Sequence, residues 1–246
     1  ITSFCFAQNT IKSPAEFLGY EIGEQFSRHS DVVDYFEHVA QNSEMVTYHN
    51  YGKTNERRPL TYAIVSSKEN IKNIDNIRIQ NLKNIGLIDG NTNDNTTAIV
   101  WLSYNVHGNE ASSTEASMAM LYELITKKQD WLQNTVVIID PCINPDGRDR
   151  YANWYNMVKS TPYNTNQLAA EHNEPWPGGR PNHYLFDLNR DWAWATQAET
   201  QARLKIYNQW VPHIHVDFHE QGINEPYYFA PAAEPFHEII TPWQRE

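Results

Sequence analysis

The sequence predicts an α/β fold: a mixed, largely parallel central sheet flanked by helices. Three observations carry this. The runs "TAIVWLSY" (97–104), "TVVIIDPCI" (135–143) and "HIHVDFHEQG" (213–222) are apolar or strictly alternating, and rich in β-branched and aromatic residues, as strands are. Segments with apolar residues at three-to-four spacing, the signature of amphipathic helices, lie between them. Strands that alternate with helices favour parallel pairing.

Along the chain, "SPAEFLGYEIGEQFSRHSDVVDYFEHVAQNS" carries a helix over about 30–41. Ser30 is a natural N-cap there, and Val32, Val33, Phe36 and Val39 share a face. Next, "MVTYHNYGKTNERRPLTYAIVSS" reads as two strands about a polar turn, and "DGNTNDNTT" as a loop. The run ending at Tyr104 passes through "NVHGNE" into the helical "EASSTEASMAMLYELITKK", so His107 and Glu110 occupy a strand-to-helix turn. In α/β sheets ligands gather at that edge. The run 135–143 ends in the turn sequence "NPDG". From Asn153 to Tyr184 the chain is rich in Pro, Asn and Gly and reads as a long irregular excursion. "DLNRDW", an amphipathic helix around "TQAETQARLKIYNQW" and the last strand follow.

Composition narrows the function. With 246 residues, 40% of them apolar and 13% aromatic, the chain can bury a sizeable core, which sets global disorder aside. A formal net charge of −11 without a basic stripe argues against nucleic acid and anionic membrane surfaces as partners. No segment approaches the length of a membrane span. The opening "ITSFCFAQ" resembles the end of a signal-peptide apolar region with Ala7 as cleavage position. Residues 1–7 are therefore expected to be a leader remnant and 8–246 a single domain, secreted or periplasmic. Cys5 would be lost with the leader, leaving Cys142 alone, so no disulfide framework is implied.

A catalytic zinc site commonly uses two histidines and a carboxylate and leaves one position open. His107 and Glu110 offer two ligands one turn of chain apart, although H-x-x-E alone also fits a capping Glu beside a surface His. For the third, strand alternation puts His213, His215, Asp217 and His219 on one face. Of these, His219 lies at the C-terminal end of the run, the edge where His107 belongs, and is favoured over His215. Asp217 lies near enough to influence a ligand. In "DLNRDW", Arg190 presents a planar fork suited to a carboxylate and Asn189 an amide donor. A surface ion pair of Arg190 with Asp187 or Asp191 is the plainer alternative. Arg148 and Arg150, after the "NPDG" turn, could stabilise an oxyanion or simply pair with Asp146 and Asp149.

Taken in order, "YGKTNERRPL", "HGNE", "NPDG", "DLNRDW" and "DFHEQG" resemble the zinc carboxypeptidases of the carboxypeptidase A type, over about Tyr51 to Gly222. That resemblance implies a three-layer fold and one zinc ion held by His107, Glu110 and His219. It implies Asn189 and Arg190 as the pair that takes a terminal carboxylate, and an arginine after "NPDG", chosen here as Arg150 over Arg148, that polarises the scissile carbonyl. The implied activity is hydrolysis of the C-terminal peptide bond by a metal-activated water, with peptides bearing a free carboxylate as partners. The family's general-base Glu and its mobile Tyr are expected beyond residue 246, so the domain is expected to be incomplete at its C-terminal end. Glu220 is not taken as the base, because on a strand it points away from His219. The alternatives are a related zinc amidohydrolase acting on N-acyl amino acids or cell-wall peptides, and an inactive zinc-binding module.

Overall fold

The computed structural model describes residues 11–93, 97–222, 224–225 and 234–245. The expected leader, residues 1–7 with Cys5, lies outside them. Two N-terminal helices come first, the short α1 (Pro14–Leu18) and the longer α2 (His29–Asn42). The strands β1 (Val46–Lys53) and β2 (Pro59–Val65) then form an antiparallel hairpin. Helices α3 (Lys68–Lys72) and α4 (Ile74–Asn84) lead to β3 (Ala98–Tyr104), α5 (Ser112–Thr126) and β4 (Thr135–Asp140). Then come α6 (Pro145–Val158), α7 (Ala198–Trp210) and β5 (Ile214–Phe218), and one turn of helix, α8 (Pro242–Arg245), is the last element described.

The five strands form one mixed sheet in the order β1-β2-β4-β3-β5. β4–β3 and β3–β5 pair in parallel, β1–β2 and β2–β4 antiparallel. Both faces of the central strands are covered, which is why β3 and β4 read as nearly continuous apolar runs. One face of the sheet, with Ala63, Val65, Leu102, Val137 and Ile139, packs on Val32, Phe36 and Val39 of α2 and on Leu121, Leu124 and Ile125 of α5. The other, with Tyr62, Ile64, Trp101, Val136 and Ile138, meets Ile77 of α4 and Trp210 of α7. Each fully buried large side chain contributes roughly 1.5–3 kcal/mol. Sheet and helices together therefore hold the C-terminal ends of β3, β4 and β5 rigidly along one edge.

Two expectations need correcting. Helix α2 begins at His29, not at a Ser30 cap, because two carboxylates serve its first turn. Asp31 Oδ2 accepts from Arg28 N (3.1 Å) and Asp149 Oδ1 from His29 N (2.7 Å). Ionised acceptors at a helix N-terminus outdo a hydroxyl. Likewise "NPDG" is not a free turn but the start of α6. The Asn144 side chain caps it, accepting from Gly147 N (3.0 Å), and Pro145 takes the first helical position. That helix runs on to Val158, so the irregular excursion begins several residues later than expected.

Candidate metal centre

The chain leaves β3 through Asn105, whose φ of 60° places it in the left-handed region that asparagine tolerates. Its buried side-chain amide donates to three carbonyls of the turn it opens, those of His107 (2.7 Å), Glu110 (2.9 Å) and Gly108 (3.3 Å). The turn is thereby folded back so that both His107 and Glu110 face the edge of the sheet. His107 is only 3% exposed; its Nδ1 lies 2.7 Å from Glu110 Oε1 and its Nε2 3.0 Å from Asp187 Oδ1. From just beyond β5, His219 brings its Nδ1 to 2.9 Å from Glu110 Oε2, while its Nε2 lies 3.2 Å from Asp217 Oδ2.

One donor atom from each of His107, Glu110 and His219 lies within 4.8 Å of the other two. Tetrahedral zinc with bonds of about 2.0–2.2 Å sets its ligand atoms about 3.4 Å apart, so movements below an ångström would accommodate the ion. The donor set, two imidazoles and one carboxylate, suits zinc. Each imidazole also has a carboxylate beside its other nitrogen, Asp187 for His107 and Asp217 for His219. That arrangement orients a metal-ligating histidine. Burial pushes the Glu110 carboxyl upward. The hydrogen bond with His107, the Glu220 N–H and the two nearby imidazoles more than offset this and hold it below its ordinary value. Asp187 is likewise held low against its burial by His107, Arg180 and the Asn189 N–H.

Three glycines far apart in sequence set the wall of this site. A Cβ on Gly108 would lie 2.2 Å from Gly147 C and 2.4 Å from Gly179 O, and one on Gly147 would lie 2.3 Å from Gly179 O. Three backbone segments thus touch where no side chain fits. Asn144 Nδ2 donates to Arg180 O (3.1 Å), and Gly108 N to the same carbonyl (3.4 Å). This junction brings Arg180 beside the cluster. Its Nη2 donates to Asp187 Oδ2 (2.9 Å), and its Nη1 lies 3.8 Å from Glu110 Oε1.

The other expected residues fall as follows. Asn189 sits in a short 3-10 turn, Leu188–Arg190, with its Nδ2 3.3 Å from His219 Nε2. Arg190 is exposed and donates to the Asn189 carbonyl (2.9 Å). It pairs with neither neighbouring aspartate, since Asp187 serves His107 and Arg180 while Asp191 accepts from Thr196 and Gln197. Arg150 has a different place from the one expected. Its guanidinium donates to the carbonyls of Gly178 (2.8 Å), Pro181 (3.4 Å) and Asn182 (3.2 Å), and so anchors the segment that carries Arg180. Arg148 is fully buried, with Nη2 2.6 Å from Glu115 Oε1. His215 lies 2.9 Å from Ser103 Oγ, and His213 Nδ1 accepts from Ile99 N (3.1 Å). Glu220 turns away to accept from Ser112 N (2.9 Å) at the start of α5. Sequence reasoning missed Arg180, Asn105 and what Asp187 does. The pair of glycines before Arg180, in a Pro-rich stretch, was the available signal.

A family profile described as zinc carboxypeptidase matches residues 32–218, ending one residue short of His219. No curated protein matches the chain. Among solved structures, the chain is similar to a Burkholderia mallei protein provisionally described as a carboxypeptidase. That match has 17% identity and a TM-score of 0.57 and covers 90% of this chain and 46% of that one. It is also similar to carboxypeptidase A from Helicoverpa armigera, with 18% identity and a TM-score of 0.50 over 80% of this chain and 46% of that one. At such identities the likeness concerns the fold. The chain spans a little under half the length of these relatives.

Proposed function

The chain belongs to the zinc carboxypeptidase family, and from that premise we propose that it serves a zinc-dependent metallocarboxypeptidase that removes C-terminal residues from peptides. The observation that carries this reading is the convergence of His107, Glu110 and His219 at the C-terminal edge of the parallel strands, with a carboxylate behind each imidazole. These three would hold the ion. The chemistry zinc supplies when bound is polarisation of a carbonyl and activation of a water near neutral pH.

The chain's own groups bind and orient around that site. Asp187 and Asp217 fix the ring orientations of His107 and His219, so that each Nδ1 is aimed at Glu110. Asn189, beside His219, and the exposed Arg190 offer an amide and a guanidinium fork for the substrate's terminal carboxylate. Arg180, 3.8 Å from Glu110, is the cation placed to stabilise negative charge developing on the carbonyl oxygen. Arg150 supports it by holding residues 178–182 in place. Among the described residues no helix is long and apolar enough to cross a membrane. Export to the periplasm or the medium belongs to the same proposal and is supported by the likeness of "ITSFCFAQ" to the end of a signal-peptide apolar region.

The test is product analysis with the full-length protein on a blocked peptide series with free C-termini, with and without a zinc chelator. Release of single C-terminal amino acids, abolished by the chelator and restored by zinc, is the expected result. Cleavage at internal bonds or at N-acyl groups only would refute carboxypeptidase activity and favour the amidohydrolase alternative.

A further inference from the structure

A groove of about 790 Å³ opens beside Asn109, which directly precedes Glu110 in the turn that carries it and His107. One wall is aromatic. Tyr151, Trp154 and Tyr155 recur at i, i+3 and i+4 on α6 and so share a face. Phe26, from the segment before α2, packs against Tyr155 (5.1 Å between centroids) and Tyr151 (5.5 Å). A stripe of this kind usually disappears into a core, but all four rings are only half-buried and line the groove.

The other wall is acidic. Glu171 accepts from the N–H groups of Ser160 and Asn164, which hold its carboxyl below the usual range. Glu174 accepts from Asn109 Nδ2 (2.9 Å) and from Gly179 N. These donors are neutral, so they keep the carboxylates in place without cancelling their charge. No Lys or Arg lines the groove among the described residues; the one histidine in its lining is His172, with Nε2 3.7 Å from Glu171 Oε1. Aromatic faces opposite fixed negative charge attract a cation.

We propose that this groove is a subsite for a cationic side chain, Lys or Arg, on the N-terminal side of the bond that is cut. The inference rests on the peptidase reading above. The groove starts at the ligand-bearing turn, and neither Asn189 nor Arg190, the seat of the terminal carboxylate in that reading, lines it. It therefore takes the substrate's upstream residues. Trp154 supplies the largest ring face, and Glu171 and Glu174 the field.

The experiment compares peptides identical but for Lys, norleucine or a glycosylated Asn at the second and third residues upstream of the cut bond. Lys should lower KM about tenfold relative to norleucine, the size of one partly desolvated cation–π contact. Trp154→Ala should bring that ratio to near one, and Trp154→Phe should retain most of it. Equal KM values for Lys and norleucine, or a ratio unmoved by Trp154→Ala, would overturn the proposal. So would preference for the glycosylated peptide, which would make the wall a sugar platform. If the full-length protein hydrolyses none of the peptides, the peptidase reading has failed, and calorimetry with the same peptides decides the groove on its own. Tighter binding of the Lys peptide, lost in Trp154→Ala, upholds it, and equal binding overturns it.

Discussion

Gly147→Ala sets two physical rules against each other. Gly147 lies in the first turn of α6, where helix propensity alone says that alanine should stabilise by about 0.8–1.0 kcal/mol. Packing says the opposite. The new Cβ would lie 2.3 Å from Gly179 O, 2.6 Å from Asn144 Nδ2 and 2.7 Å from Pro181 O. All three fall short of ordinary contact, and two of them are backbone atoms with nowhere to rotate. Segments 144–150 and 178–182 must therefore part by on the order of an ångström, an overpacking cost of about 1–3 kcal/mol. Set against the propensity gain of about 1 kcal/mol, the net loss is about 0–2 kcal/mol. At about 2–4 °C per kcal/mol for a chain of this size, the melting temperature should fall by up to roughly 8 °C. The same displacement moves Arg180 and loosens the turn that carries His107, so the rise in melting temperature on adding zinc should shrink as well. Thermal unfolding of the metal-free protein, with and without a zinc titration, reads both. An unchanged or higher melting temperature with the full zinc shift would refute the three-glycine junction as the device that shapes the site.

Four further outcomes follow from the same geometry. Asp187→Asn should weaken zinc binding about 10–100-fold in a chelator competition, because the group orienting His107 is altered; an unchanged affinity would remove Asp187 from that role. His219→Ala should abolish the zinc-induced rise in melting temperature while His215→Ala preserves it, and the reverse pattern would move the third ligand to His215. Arg190→Ala should slow hydrolysis of free-acid peptides by about 10–100-fold, the worth of a charge-assisted hydrogen bond, and barely affect their amides; equal losses would sink the carboxylate clamp. Asp140 is fully buried and its pKa is pushed up to about 7, chiefly by burial and against the pull of Arg203. A carboxyl raised in the folded state contributes stability below its unfolded pKa and loses it as pH rises through the folded value. Thermal stability should therefore decline between about pH 4 and 7 in part through this group, and Asp140→Asn should flatten that part of the profile.

Much of this molecule is determined locally. β3 and β4 announce themselves because each is covered on both faces, so nearly every position before the C-terminal end is apolar regardless of which layer it meets. His107 and Glu110 are legible because a single turn of chain places both, and His219 because strand direction puts one end of β5 at the same edge. What the sequence could not settle is which arginine belongs to the site. Arg150 sits where a motif suggests a catalytic cation, yet its donors go to the carbonyls of residues 178–182. Arg180 takes the place near Glu110 because Gly108, Gly147 and Gly179 let three backbones meet. That contact joins residues about forty and thirty positions apart in a stretch without helical or strand periodicity, and periodicity is what sequence reading detects. Asp187 is hidden for the same reason, since its partner His107 lies 80 residues away. Local chemistry determined the strands, the helices and the residue types of the candidate metal centre, while close approach of distant backbone decided which charged groups surround them.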